Sequence, residues 1–198
     1  LQFFQYNEIR DIIKNILLAS RYSRHREIAV FILGQIQVQL NDVELNEILS
    51  ILVYSICHDK SISVKSSAIF SLGHLFRHYN LGEKAFYEIE KDINLIWDIN
   101  RYSIILAVAF SSAYFPYRNY IKKYLIKNLN SKKSQIISWI LYSLREKHYK
   151  SKSIDEFKTS IAKELNKRFD EKLNTRTELI IDEIDKEFIL SNTRKGVE

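Results

Sequence analysis

The chain has 198 residues, 46% of them hydrophobic, with only four Gly, one Pro and one Cys. That length supports one substantial core, and so few turn residues exclude a strand-rich fold in favour of long helices with short polar connections. The formal charge is +6. The lone Cys57 leaves no intrachain disulfide framework and suits a reducing, cytoplasmic setting.

The opening "LQFFQYNEIR" lacks the basic-then-apolar pattern of a secretory signal. Phe3, Phe4, Ile9, Ile12, Ile13, Ile16 and Leu17 recur at helical spacing and predict a first helix, interrupted by "RYSRH". Ile28, Ala29, Phe31, Ile32, Leu33 and Ile36 predict a second. Asn41-Asp42 with Glu44 reads as an N-cap with acid in the first turn, ahead of a third helix through Ile48, Leu49, Leu52, Val53 and Ile56. After the loop "HDKS", "SSAIFSLGHL" (66–75) forms the fourth, and helices five to eight are expected over about 83–97, 101–114, 117–129 and 133–148. Ile104 to Phe110, the longest apolar run, is far too short to cross a membrane. Ser153 and Glu156 make a capping-box pattern before the stripe Ile154, Phe157, Ile161, Leu165 and Phe169. That stripe is read as core and not as a membrane surface, because its polar side mixes Asp, Glu and Lys. A last helix carries Leu179, Ile180, Ile184 and Phe188, and a frayed tail over 191–198 leaves a single domain over 1–190.

The helices repeat. "REIAVFILGQI" (26–36) and "KSSAIFSLGHL" (65–75) superpose at an offset of 39, matching Arg26 with Lys65, Ala29 with Ala68, Phe31 with Phe70, Leu33 with Leu72 and Gly34 with Gly73. "IILAVAFSSA" (104–113) and "IISWILYSLR" (136–145) are weaker third and fourth copies, with Phe110 and Tyr142 in the Phe place. A spacing near 40 with two helices per unit predicts stacked helical pairs sharing a continuous core. Ala68 and Gly73 are the small residues that let neighbouring helices approach. His74 falls where the first copy has Gln35, which reads as a hydrogen-bonding position at a helix end.

With these motifs in this order, the sequence resembles the bacterial HEAT-repeat proteins over about residues 21–184. The resemblance implies an all-α fold, a right-handed α-solenoid of about five HEAT-like helical pairs with a concave face. It also implies a non-enzymatic protein-binding module, since the group includes scaffolds, inhibitors, lyase subunits and nucleic-acid binders. Its most concrete form is an immunity protein that binds a toxin domain and occludes it.

Charge singles out one stretch. Residues 118–152 carry ten basic side chains against one acid, Glu146, while the rest of the chain is balanced or slightly acidic. The expected basic edge comprises Arg118, Lys122, Lys123, Lys127, Lys132, Lys133, Arg145, Lys147 and Lys150, with Tyr117, Tyr120 and Tyr124 interleaved. Such an edge suits an acidic protein, or a nucleic acid whose phosphates meet the cations and whose bases stack on the tyrosines. The acidic C-terminal helix, through Glu178, Asp182, Glu183 and Asp185, is the alternative contact for a basic partner.

Catalytic signals are weak. His74 and His78 lie four apart with Cys57 and His58 one helix earlier, but there is no HExxH pattern and no second Cys, so no metal is expected. Trp97-Asp98 and Trp139 are similar to the aromatic-plus-carboxylate sites of HEAT-like DNA-alkylation-repair glycosylases, the enzymatic extreme of the nucleic-acid reading. Gly at 34, 73, 82 and 196 makes no phosphate loop, and no cofactor is expected.

Overall fold

The structure is a computed structural model and describes residues 6–36, 40–129, 131, 133–148 and 153–166. Phe3, Phe4, Phe169, the predicted last helix and the tail lie outside the described residues. The chain divides into two compact units, Leu1–Pro116 and Tyr117–Glu198. Among the described residues there is no strand.

The first unit runs α1 (Tyr6–Ala19), α2 (Ser23–Gly34), α3 (Asp42–His58), α4 (Ile62–His78), α5 (Glu83–Glu90), a 3-10 segment (Asp92–Asp98) and α6 (Tyr102–Ser112). Helices α2, α4 and α6 stack side by side as one layer, with α1 against α2 and α3 against both α4 and the 3-10 segment. Leu33, Ile48, Leu52, Ile56, Ile69 and Leu72 are each fully buried between these helices. Each such side chain contributes about 1.5–3 kcal/mol of hydrophobic stabilisation.

The repeated glycines set the spacing of the layer. A Cβ on Gly34 would lie 2.5 Å from the Cα, Cβ and Oγ of Ser71. A Cβ on Gly73 would lie 2.4 Å from Ser111 Oγ and 2.7 Å from its Cα and Cβ. Glycine therefore meets serine across both junctions, and the Ser111 hydroxyl donates to the Ile69 carbonyl at 2.8 Å. The repeated cations have a matching role within each pair. Arg26 donates to the Ser20 carbonyl just past α1 at 2.9 Å, and Lys65 donates to the carbonyls of Ile56 and Cys57 at the end of α3. Arg26 also grips the Asp59 carboxylate with two hydrogen bonds, at 2.7 and 3.0 Å, tying the first pair to the second. Burial acts to raise the Asp59 carboxyl, but hydrogen bonds from Arg26 and the Ser61 amide, with the charges of Arg26 and Lys65, outweigh it and hold the group below its ordinary range.

Several local expectations hold. Asn41 Oδ1 accepts from the Glu44 amide while the Glu44 carboxylate accepts from the Asn41 amide, a complete capping box. Ser153 and Glu156 form the same reciprocal pair at 2.9 and 3.2 Å. Others are corrected. Helix five is not continuous: the chain tightens into the 3-10 segment after Glu90, where a three-residue turn brings Ile93 and Ile96 inward together, both fully buried. "RYSRH" does not lie wholly between helices, because Ser23, Arg24 and His25 already form the first turn of α2. At the end of α4, Asn80 takes a positive φ of 48° and the Leu81 amide reaches back to the Phe76 carbonyl at 3.2 Å, closing the helix where glycine is usual.

The second unit contains α7 (Asn119–Asn128), α8 (Ser134–His148) and α9 (Ile154–Asn166). A short turn folds α8 back along α7. Ile121, Leu125 and Ile126 of α7 are buried, as are Ile136, Ile140, Leu141 and Leu144 of α8 and Phe157 and Ile161 of α9.

Candidate partner-binding surfaces

A groove of about 390 Å³ crosses the N-terminal halves of α2, α4 and α6. Ile28, Phe31, Phe70, Tyr102 and Leu106 supply its apolar lining, with Arg24 and Glu27 paired at 3.1 Å on the rim. The sequence pattern placed Ile28 and Phe31 in the core. Both are 44% exposed, because α2 turns Ala29, Val30, Leu33 and Gly34 inward and leaves those two on its open flank. The same Phe position changes environment along the layer. Phe31 is open, Phe70 is half-buried, and Phe110 is buried with its ring stacked on Phe70 at 4.1 Å. The repeat of Phe31, Phe70 and Phe110 was visible in the sequence, but nothing in a single helix shows that two of the three face a groove.

His74 belongs to the inner end of that aromatic row. Its ring lies 4.8 Å from Phe70, 4.9 Å from Phe110 and 5.7 Å from His78. The expected hydrogen-bonding role at a helix end is corrected. Nδ1 is buried with no partner, one turn before the helix ends, and the ring serves as an aromatic plate. Burial, with the charges of His78 and Arg77, pushes its pKa down to about 4. Cys57 is a half-buried thiol that donates to the Asp92 carbonyl at 3.1 Å, and burial with nearby Asp92 pushes its pKa up. Among the described residues no three His, Cys, Asp or Glu side chains gather to hold a metal. Asp98 is exposed at the end of the 3-10 segment, beside half-buried Trp97; Trp139 stands edge-on to Tyr142 in α8 at 5.6 Å.

In the second unit, Lys123 and Lys127 are exposed one turn apart on α7, and Lys133 is exposed just before α8. Arg118, Lys122, Arg145 and Lys147 are half-buried. Arg118 donates to the Tyr117 carbonyl at 2.8 Å. The tyrosines divide. Tyr117 is 48% exposed with its hydroxyl donating to Asn119 Oδ1 at 2.6 Å, while Tyr120 is half-buried. Tyr124 is buried at 7% exposure, on the helix side shared with Ile121 and Leu125, so it packs the hairpin and presents no stacking face. Lys132, Lys150, Glu178, Asp182, Glu183 and Asp185 lie outside the described residues.

No protein-family model matches the chain, and no curated protein matches it. Among solved structures it is similar to a designed armadillo repeat protein in complex with the peptide (KR)4. The identity is 14%, with a TM-score of 0.53 over 92% of this chain and 84% of that one. The fold class is an all-α helical-repeat solenoid. No helix among the described residues is long and apolar enough to cross a membrane.

Proposed function

We propose that the chain is a non-enzymatic protein-binding module whose first unit holds a segment of its partner across α2, α4 and α6. The observation that carries this is the groove: Ile28, Phe31 and Tyr102, each 44–45% exposed, converge on one concavity instead of being scattered. Its walls are helices locked at close approach by the glycine–serine contacts, so little ordering is needed on binding. The designed neighbour, a helical-repeat protein with a peptide bound, supports such a use of the fold. The HEAT-like motifs support the finer form, an immunity protein of the bacterial cytoplasm that occludes a toxin domain. A second reading, nucleic-acid binding, draws on the exposed lysines of the α7–α8 hairpin.

The test is capture from lysate of the source organism on immobilised protein, with and without nuclease, beside a Phe31→Asp variant. One protein retained in near-equal amounts, indifferent to nuclease and lost with Phe31→Asp, is the expected result; its identity decides between immunity protein and scaffold. Retention that disappears with nuclease overturns the reading.

A further inference from the structure

The net charge is confined to one unit. Residues 1–116 carry eleven basic and twelve acidic side chains, a net −1; residues 117–198 carry nineteen and twelve, a net +7. Within the second unit, α7 has no acidic residue at all, and Lys123 and Lys127 project from it one turn apart. Four residues at about 1.5 Å each separate their Cα atoms by about 6 Å along the axis. Lys133, just before α8, is exposed as well.

From this we infer that the outer side of α7, with Lys133 at the hairpin turn, is a docking face for an acidic protein segment, one with carboxylates a helical turn apart. The inference rests on the protein-binding reading above and names the partner's chemistry at a second contact. Three features point to carboxylates on a protein and away from nucleic acid. A single strand needs ring faces between its phosphate contacts, yet Tyr124 is packed inside and Tyr120 is half-buried. Tyr117, half exposed, precedes α7 and donates its hydroxyl to Asn119 Oδ1. Among the described residues of this unit the exposed cations are all lysines, compact point charges without the planar fork of arginine. Carboxylates at i and i+4 of a partner helix repeat at the same 6 Å as the lysines that would meet them.

The probes are two fluorescent anions of matched charge, a 20-residue poly-glutamate peptide and a 20-nucleotide single strand, titrated with the full chain at several salt concentrations. Two double charge reversals with equal change in net charge are compared: Lys123→Glu with Lys127→Glu, and Lys84→Glu with Lys91→Glu on exposed positions of the first unit. Circular dichroism confirms that both variants fold. The expected result is peptide affinity reduced at least tenfold by the α7 pair and less than twofold by the other, with the oligonucleotide bound no tighter than the peptide at physiological salt. Equal losses from both pairs would reduce the effect to overall charge and refute a localised face. Tighter oligonucleotide binding, or no peptide binding, would refute it too. None of these outcomes touches the groove, whose own test is the Phe31→Asp capture, so the two readings fail separately.

Discussion

Replacing Gly73 with Ala sets two effects against each other. In the interior of a helix the change should stabilise by about 1 kcal/mol, because alanine loses less backbone freedom. Gly73 lies well inside α4, so that gain applies. The new methyl, however, would sit 2.4 Å from Ser111 Oγ and 2.7 Å from its Cα and Cβ, and two of those atoms cannot be relieved by a rotamer change. Helix α6 must move outward. Overpacking of this kind costs about 1–3 kcal/mol. The shift also strains the Ser111 hydrogen bond to Ile69, worth about 1 kcal/mol more. The net expectation is destabilisation by about 1–3 kcal/mol, which lowers the Tm by roughly 2–12 °C in a chain of this size. Urea unfolding of the wild type, Gly73→Ala, Ser111→Gly and the double variant reads this directly. The double-mutant cycle should return a favourable coupling of at least about 0.5 kcal/mol, since removing the serine side chain takes away the Oγ and Cβ contacts. A Gly73→Ala protein as stable as the wild type, with no coupling to position 111, would refute the close-approach account of the repeat glycine.

Two further predictions concern charge and pH. His74 takes up a proton near pH 6.5 when unfolded but near 4 when folded, so its contribution is fully present above about 6.5 and is lost as the pH falls from there to about 4. The full shift corresponds to at most about 3 kcal/mol, and the half-buried ring should realise less. Urea midpoints measured between pH 4 and 7 should slope accordingly, and His74→Phe, which keeps a ring against both Phe70 and Phe110, should flatten the slope. Arg26→Met strands the Asp59 carboxylate, whose side chain is only 9% exposed, and should destabilise by about 2–3 kcal/mol at neutral pH. The depressed Asp59 carboxyl adds stability above its ordinary pKa of 3.8 that is lost as the pH falls through the lower folded value. In thermal melts that acid-side loss should shrink in the variant, and an unchanged acid limb would contradict the assignment.

The architecture was legible because helix formation and stacking leave local marks. The 39-residue offset between Gly34 and Gly73 marks a contact made in both junctions, and the capping residues Asn41, Glu44, Ser153 and Glu156 act within four residues of themselves. The groove was not legible in that way. An apolar stripe tells which residues avoid water on average, but whether Phe31 or Phe110 is covered depends on the helix stacked beside it. Tyr124 was misplaced for a related reason: lysines on both sides of it in the sequence suggested a surface row, while helical phase puts it with Ile121 and Leu125. His74 looked polar where the first copy has Gln35, yet its neighbours in space are Phe70, one turn earlier in α4, and Phe110, which α6 brings in from another helix.

The glycine–serine contacts also give the layer a polarity. Helix α4 carries both halves of the joint, Ser71 receiving Gly34 and Gly73 entering Ser111. A tandem copy of the unit containing α4 would therefore fit onto its own parent without any new complementary residue. Helix α2 has the glycine but Ile32 where the serine would be, and α6 has Ser111 but Ala113 where the glycine would be. One is equipped only to give and the other only to receive. A lengthened version of the chain should accordingly accept duplicated units between α2 and α6, and resist them beyond either end.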